Sequence, residues 1–410
     1  MQGKSKYLYR FNQEKLINCL KNNQSVLILG PRQVGKTTLI KNSLKNIDHL
    51  IYYPLHHPKE RLRLEKNPEL IIDEVEAAKN KPFVFIDEAQ KIPSLLDAVQ
   101  YLIDEDKATF IITGSSARKL RRKKPINLLA GRVIFFNLDP LAFGEMGLIK
   151  QNFIPELSLE NLNPKENLKL NDLLLFGSLP QIIKENKETR KELLSSYTHI
   201  YLEEEIRAEA LSRKIGDFSR FLELAALESG TSPNFKNLSN QSGVSQISIK
   251  EYYQLLEDTL IVERLDPYLK KARKRIFTSS RYYFFDLGVR NALANLPLED
   301  GSINALKGPL FEHLIVLEIL KRLKILNKGY RAYYWRTTGG AEVDLVIDLG
   351  NKLIPIEIKA SEYVSLKKLK GLKNFLKDYS SLADHGYVIN LAKRPQKIDK
   401  NITAIPWNYL

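Results

Sequence analysis

The sequence predicts an α/β protein built on a five-stranded parallel sheet, followed by a helical region, a helix-turn-helix region and a second, smaller α/β segment. Three observations predict it. Short, almost unbroken apolar runs at Ser25–Leu29, 49–53, Phe83–Asp87, 110–113 and Val133–Asn137 alternate with helical stretches such as 94–105, the pattern of parallel strands covered on both faces. The run Gly30-Pro31-Arg32-Gln33-Val34-Gly35-Lys36-Thr37 follows the first of them and opens a helix over 36–45. The third apolar run ends in two carboxylates, Asp87 and Glu88.

The loop after the first strand fits G-x-x-x-x-G-K-[ST], in which backbone N–H groups wrap an anion at a helix start. Its residues and Thr38 are expected to bind ATP, with Lys36 reaching the β and γ phosphates and the Thr37 hydroxyl holding Mg2+. A chance glycine turn is the alternative, and the flanking strand, helix and acidic motif argue against it. In a parallel sheet the third strand ends beside this loop. Asp87 is therefore expected to hold the magnesium ion through water, and Glu88 to polarise the water that attacks the γ-phosphorus. Thr113, Ser115 and Ser116 follow the fourth strand, where Ser115 would either touch the γ-phosphate and the attacking water or cap a helix. Arg132 precedes the fifth strand. It would either stabilise the transferring phosphoryl group of a neighbouring subunit, making hydrolysis depend on a homo-oligomer, or pair with a local carboxylate.

On these residues the core resembles an AAA-type P-loop ATPase. The segments Leu129-Ala130-Gly131-Arg132, Pro140-Leu141-Ala142-Phe143-Gly144-Glu145 and Phe176-Gly177-Ser178-Leu179-Pro180 resemble the bacterial and archaeal AAA ATPases that carry a C-terminal domain of uncharacterised function. The resemblance spans nearly the whole chain. It implies an ATPase core, a helical lid, a winged helix and a restriction-endonuclease-like end. Ser178 stands where that pattern has a second glycine, which bears on the turn more than on the chemistry.

The 410 residues suit two to four domains. Hydrophobic content of 43% and charged content of 27% place the chain among folded globular proteins rather than disordered ones. No stretch approaches the roughly 20 apolar residues of a membrane span, and the polar start reads as a cytoplasmic protein without a secretion signal. Cys19, the only cysteine, excludes an internal disulfide and cysteine-based zinc sites. A net charge of +15 favours polyanions, DNA foremost, although an anionic membrane surface or plain lysine-rich composition would give the same sum.

After a loop-like stretch at 140–164 the first domain, 1–164, gives way to a helical lid over 165–228, whose long helix at 189–211 carries Leu193, Leu194, Tyr197, Tyr201 and Leu202 at helical spacing. Residues 229–300 read as a winged helix. Helix, a turn at Gly243 and Ser245, and a second helix over 246–259 are followed by two strands, at 261–266 and 281–286, with a basic run between them. Val244 and Ile249 alternate with polar residues that a recognition helix presents to DNA. Lys270, Lys271, Arg273, Lys274 and Arg275 would neutralise phosphates without reading sequence; a protein partner is the alternative for such a module. A second run, Arg118-Lys119-Leu120-Arg121-Arg122-Lys123-Lys124, is similarly basic.

In the last segment, 301–410, a turn at 348–352 joins the strand bearing Asp344 to the strand Ile354-Pro355-Ile356-Glu357-Ile358-Lys359. Period-two alternation puts Glu357 and Lys359 on one face and the isoleucines on the core face, and hairpin pairing brings Asp344 beside Glu357. Two such carboxylates would hold a hard cation, with Lys359 activating water near a scissile phosphate. This resembles the PD-(D/E)xK nuclease core. Asp344, Glu357 and Lys359 fall on its acid, acid and lysine positions, and Glu312, on a helix starting near Pro309, falls on its helical acid, as a further metal ligand. A non-catalytic version of the same fold is the alternative.

Overall fold

A computed structural model describes residues 7–45, 47–115, 129–146, 168–208, 215–269 and 279–410, with the side chains of 200–208 and 215 left out. Two compact units result, one of Met1–Pro140 with Gln254–Ile261, the other of Leu141–Tyr253 with Val262–Leu410. The basic runs at 118–124 and 270–275 and the hydroxyl of Ser116 lie outside the described residues.

In the first unit, strands β1 (Ser25–Leu29), β2 (Leu50–Pro54), β3 (Phe83–Asp87), β4 (Thr109–Gly114) and β5 (Val133–Asn137) form a sheet in the order β2-β3-β4-β1-β5. Every pairing is parallel. The central strands β1 and β4 are buried along their whole length, which is why their sequences are apolar throughout, whereas the edges expose Leu50 and Phe135. Strand β2 starts one residue later than the sequence suggests because His49 adopts a left-handed φ of 62°. Helices α1 (Asn12–Lys21), α2 (Lys36–Ser43), α3 (Pro58–Lys66), α4 (Leu70–Glu76) and α5 (Leu95–Asp104) accompany the sheet. The α5 residues Leu95, Leu96, Val99 and Leu102 recur at three and four positions and pack in one cluster with Val84, Ile86, Phe110 and Ile112.

In the second unit, helices α6 (Leu170–Phe176), α7 (Lys187–Ala208) and α8 (Ile215–Leu227) precede α9 (Phe235–Ser242), a tight turn at Gly243 with φ 71°, and the part of α10 (Gln246–Asp258) up to Tyr253. Strands β6 (Val262–Leu265) and β7 (Arg281–Phe284) then pair antiparallel. Val244 and Ile249 are buried, and Gln246, Ile247, Lys250 and Glu251 are exposed on α10. Helices α11 (Leu287–Leu293) and α12 (Lys307–Leu326) lead to a six-stranded sheet of β8 (Arg331–Arg336), β9 (Glu342–Asp348), β10 (Leu353–Ile358), β11 (Gly386–Asn390), β12 (Gln396–Asp399) and β13 (Ile402–Pro406), in the order β12-β13-β11-β10-β9-β8. Between β10 and β11 lies α13 (Lys370–Asp378), whose Leu372, Phe375 and Leu376 pack against Val343, Val346 and Val388.

Buried charges organise this unit. Helix α12 is apolar nearly all round and buried, yet it carries Glu318 and Lys321. Glu318 accepts the Phe143 N–H at 3.0 Å and pairs with Arg322 at 2.7 Å, while Lys321 donates to the Leu141 carbonyl at 3.2 Å and to Ser178 Oγ at 2.8 Å. The Pro140-to-Glu145 motif is thus a segment pinned by backbone hydrogen bonds to a helix distant in sequence. Asp286 accepts the N–H groups of Ser178 at 2.7 Å and Val289 at 3.1 Å, capping α11. Ser178 uses both its amide and its hydroxyl in this network, which gives the serine at that position a function a glycine would lack.

Gly177 has φ 68° and ψ −152°, a region open to glycine alone, and a Cβ there would lie 2.1 Å from an Asp286 carboxylate oxygen. Gly177→Ala should therefore cost on the order of 3 kcal/mol and lower the thermal midpoint by several degrees. An unchanged melting curve would contradict the described turn.

Candidate functional site

The parallel register brings the carboxyl ends of β3, β4 and β1 together. Ile28 pairs with Thr113, and Ile86 with Ile112, so the loop after β1, the end of β4 and Asp87 share one edge of the sheet. Within the loop, Gln33 and Gly35 take left-handed φ values of 62° and 93°, turning the chain back so that α2 starts at Lys36. Gly30 is required by space, since a Cβ would sit 2.0 Å from the Leu138 carbonyl oxygen. Arg10 braces the loop from outside the motif, donating to the Val34 carbonyl at 2.7 Å and the Asp139 carbonyl at 2.6 Å. Thr38 is exposed in the first turn of α2.

Lys36 is 5% exposed, and its ammonium donates to the carbonyls of Gly30 and Pro31, each at 2.8 Å. Burial lowers it to about 8 against the opposing pull of Glu88 and Asp87. The Thr37 hydroxyl lies 2.9 and 3.1 Å from the two oxygens of Asp87. Thr113 Oγ1 donates to Asp87 at 2.7 Å and accepts the Glu88 N–H at 3.0 Å, so the hydroxyl's proton direction is fixed. Glu88 itself sits at φ 65°, turned off the strand. Burial alone would raise its carboxyl, but Lys36 and hydrogen bonds from Gln90 and Ser115 bring it below the ordinary carboxylate range. Ser115 Oγ donates to Glu88 at 3.0 Å, and Gln90 donates to Ser115 Oγ at 2.8 Å. An ionised carboxylate held this way is an acceptor awaiting a proton.

Sequence reading missed three participants. Tyr52 stacks on Phe85 at 4.9 Å and donates to Asp87 at 3.3 Å, and burial with Asp87 beside it pushes its hydroxyl up to about 12. Gln90 and Arg10 complete the set. Only Gln90 left a signal, a polar residue two places after Glu88 that turns out buried. Arg132 forms a two-pronged pair with Asp104, at 2.6 and 2.9 Å, which is the local alternative for that residue.

The second cluster lies in the C-terminal sheet. Strands β9 and β10 pair antiparallel with Ile356 opposite Leu345, so Glu357 falls opposite Asp344, and Asp344 accepts the Ile358 N–H at 2.7 Å. Lys359 lies 2.6 Å from Glu357 and 3.6 Å from Asp344. Glu312, on α12, is held by Arg281 at 3.1 Å and by the Tyr283 hydroxyl at 3.3 Å, and Arg281 also pairs with Glu342 and stacks over Tyr334 at 4.6 Å. Burial and then the neighbouring Asp344 raise the Glu312 carboxyl to about 7 and that of Glu357 to about 8.

Among the described residues, no three His, Cys, Asp or Glu side chains converge closely enough to cage a metal ion. Glu312, expected beside Asp344 and Glu357 as a further ligand, is held by Arg281, which sequence reading missed, and Asp344 and Glu357 form the adjacent pair. The pair still suits a hard cation. Four carboxylates, Glu312, Glu342, Asp344 and Glu357, surround the buried Arg281 and the half-buried Lys359, with Arg336 reaching Glu342 from the rim at 3.7 Å. Glu357 Oε2 is buried without a hydrogen-bond partner, an acceptor of the kind a metal ion satisfies.

Residues 22–147 match the family described as AAA domain, 167–300 match a domain of unknown function (DUF8612), and 307–410 match another (DUF4143). An uncharacterized protein of Mycobacterium tuberculosis is 26% identical over 346 residues, 84% of this chain and 72% of its own length. One from Haemophilus influenzae is 20% identical over 295 residues, 71% of this chain and 68% of its own. A Walker-type ATPase of Pyrococcus abyssi superposes with a TM-score of 0.47 at 16% identity, covering 72% of this chain and 98% of that one. Among the described residues no helix is long and apolar enough to cross a membrane. Over residues 22–147 the sequence match and the all-parallel sheet agree, and this part of the chain has the fold of an AAA-type P-loop ATPase.

Proposed function

We propose that the chain binds ATP with Mg2+, hydrolyses it and uses the cycle to handle DNA, with a metal-dependent nuclease in its C-terminal sheet. The observation that carries the first part is Asp87, buried and in hydrogen-bond contact with Thr37 of the phosphate loop. In this reading Lys36 leaves the Gly30 and Pro31 carbonyls for the β and γ phosphates, and the loop amides from residues 30–38 hold the rest of the tail. Thr37 and Asp87, now hydrogen-bonded to each other, would hold the magnesium ion, which would supply positive charge against the triphosphate. Glu88 accepts the proton of the attacking water, and Ser115, which already touches Glu88, orients it. Arg132 acts on a neighbouring subunit in a homo-oligomer only by leaving Asp104.

The four-part division at 1–164, 165–228, 229–300 and 301–410 serves this reading as ATPase core, lid, winged helix and restriction-endonuclease-like domain. Lys270, Lys271, Arg273, Lys274 and Arg275 supply the phosphate contacts of the winged helix. At the C-terminal site Asp344 and Glu357, with Glu312 as a further ligand, would hold a divalent cation, and Lys359 orients the water that attacks a phosphodiester. A second reading, a nucleotide-dependent switch that binds a protein partner through the winged helix, draws on Arg281: an arginine resident on Glu312 suits a site retired from catalysis.

Lys36→Ala should abolish phosphate release with the fold retained. Glu88→Gln should still bind ATP but turn it over at least about 100-fold more slowly; equal turnover would remove Glu88 from the proposed role. Plasmid incubated with Mg2+ or Mn2+ should be nicked by the wild type and left intact by Asp344→Ala and Lys359→Ala. Because the metal needs the carboxylate form and Glu357 is raised to about 8, nicking should increase as pH rises through that value. Intact plasmid at every pH would leave the switch reading standing.

A further inference from the structure

Beside the Asp344–Glu357–Lys359 cluster lies a surface that none of these roles uses. The antiparallel and parallel pairings place the start of β9, the end of β10 and the end of β11 at one end of the sheet. Three segments leave from that end. The chain turns sharply after Lys359, with the Ser361 N–H bonded to the Lys359 carbonyl at 2.8 Å and Ser361 Oγ bonded to the Tyr363 carbonyl at 3.0 Å. The loop after β11 is tied to that turn, through Leu391 N–H on the Ser361 carbonyl at 3.1 Å and Asn390 on the Glu362 carbonyl at 3.2 Å. The start of α13 lies against the start of β9 so closely that a Cβ on Gly371 would stand 1.8 Å from the Glu342 carbonyl oxygen.

These segments carry a distinctive set of side chains. From Tyr363 to Lys377 there are five lysines and no acidic residue. Lys367, Lys368 and Lys370 are exposed, as are Lys393 and Arg394 on the adjoining loop, with Glu362 the one carboxylate among them. Tyr363 is 78% exposed, although a tyrosine ring left in water forgoes the burial it would gain in a core. Lysines alone would serve solubility. An aromatic ring set among them, within four residues of Lys359 and so at most about 14 Å away along the chain, answers a different need.

We propose that this surface binds single-stranded DNA: Tyr363 stacks on an unpaired base while Lys367, Lys368, Lys370, Lys393 and Arg394 neutralise the flanking phosphates. The strand is thereby led to the carboxylate cluster one or two nucleotides away. An unpaired strand is the fitting ligand because a base inside a duplex has no free face for the ring to cover. The inference rests on the DNA-handling reading above and names where its substrate strand lies.

The test measures binding of the full chain to a fluorescein-labelled oligothymidylate of about 20 nucleotides by anisotropy, in EDTA so that nothing is cut. Tyr363→Ala should weaken binding about tenfold and Tyr363→Phe should restore it, the loss expected of one stacked base. Replacing Lys367, Lys368 and Lys370 by Gln should lower the slope of log affinity against log salt by about 2, at roughly 0.7 for each phosphate contact on a single strand. All these residues are exposed, so melting curves should not move. Wild-type binding left unaltered by both sets of changes overturns this surface alone, whereas a wild type without affinity for DNA overturns the DNA-handling reading with it.

Discussion

The carboxylate of Asp87 is the constraint on which the site at the carboxyl end of the parallel sheet depends. It is 2% exposed at the end of an interior strand, and a buried charge without partners would cost several kcal/mol. Thr37, Thr113 and Tyr52 supply those partners from α2, β4 and β2, three elements brought together only by the strand order β2-β3-β4-β1. The same hydrogen bonds that stabilise the carboxylate therefore fix the phosphate loop relative to the sheet. Lys36 is a second buried charge under the same rule. It bonds to two loop carbonyls, which keeps the ammonium solvated by protein and near the place where phosphate oxygens would replace those carbonyls.

The C-terminal cluster is balanced differently. Asp87, Glu88 and Lys36 each have hydrogen bonds, while around Asp344 carboxylates outnumber the cations and one oxygen of Glu357 has no partner. Desolvation then raises the carboxyls of Glu357 and Glu312 until a proton, or a cation in its place, relieves the repulsion. Arg281 relieves part of it from β7.

Much of this is legible in the chain. The five strands follow from apolar runs of strand length, and the phosphate loop from glycine spacing. The Asp344–Glu357 pairing follows from a short turn and period-two alternation, which fix the register of a hairpin. What escapes the sequence are partners that only tertiary structure brings close. Arg10 reaches Val34, Tyr52 reaches Asp87 and Arg281 reaches Glu312, each across a separation with no local pattern. Glu318 and Lys321 are buried on an apolar helix because backbone groups of Leu141 and Phe143 and the hydroxyl of Ser178 need partners there. The serine in the Phe176-to-Pro180 motif has the same explanation. Arg132 shows the limit from the other side: its position in the motif suggests a role in trans, and its geometry is a pair with Asp104.

The central claim, that the loop around Gly35 grips a triphosphate with Lys36, Thr37 and Asp87, is tested most directly by a crystal structure with Mg2+ and a slowly hydrolysed ATP analogue. The account predicts that Lys36 Nζ moves from the Gly30 and Pro31 carbonyls to phosphate oxygens, and that the metal comes between Thr37 and Asp87. A loop unchanged in excess nucleotide, with Lys36 still on its two carbonyls, would contradict it.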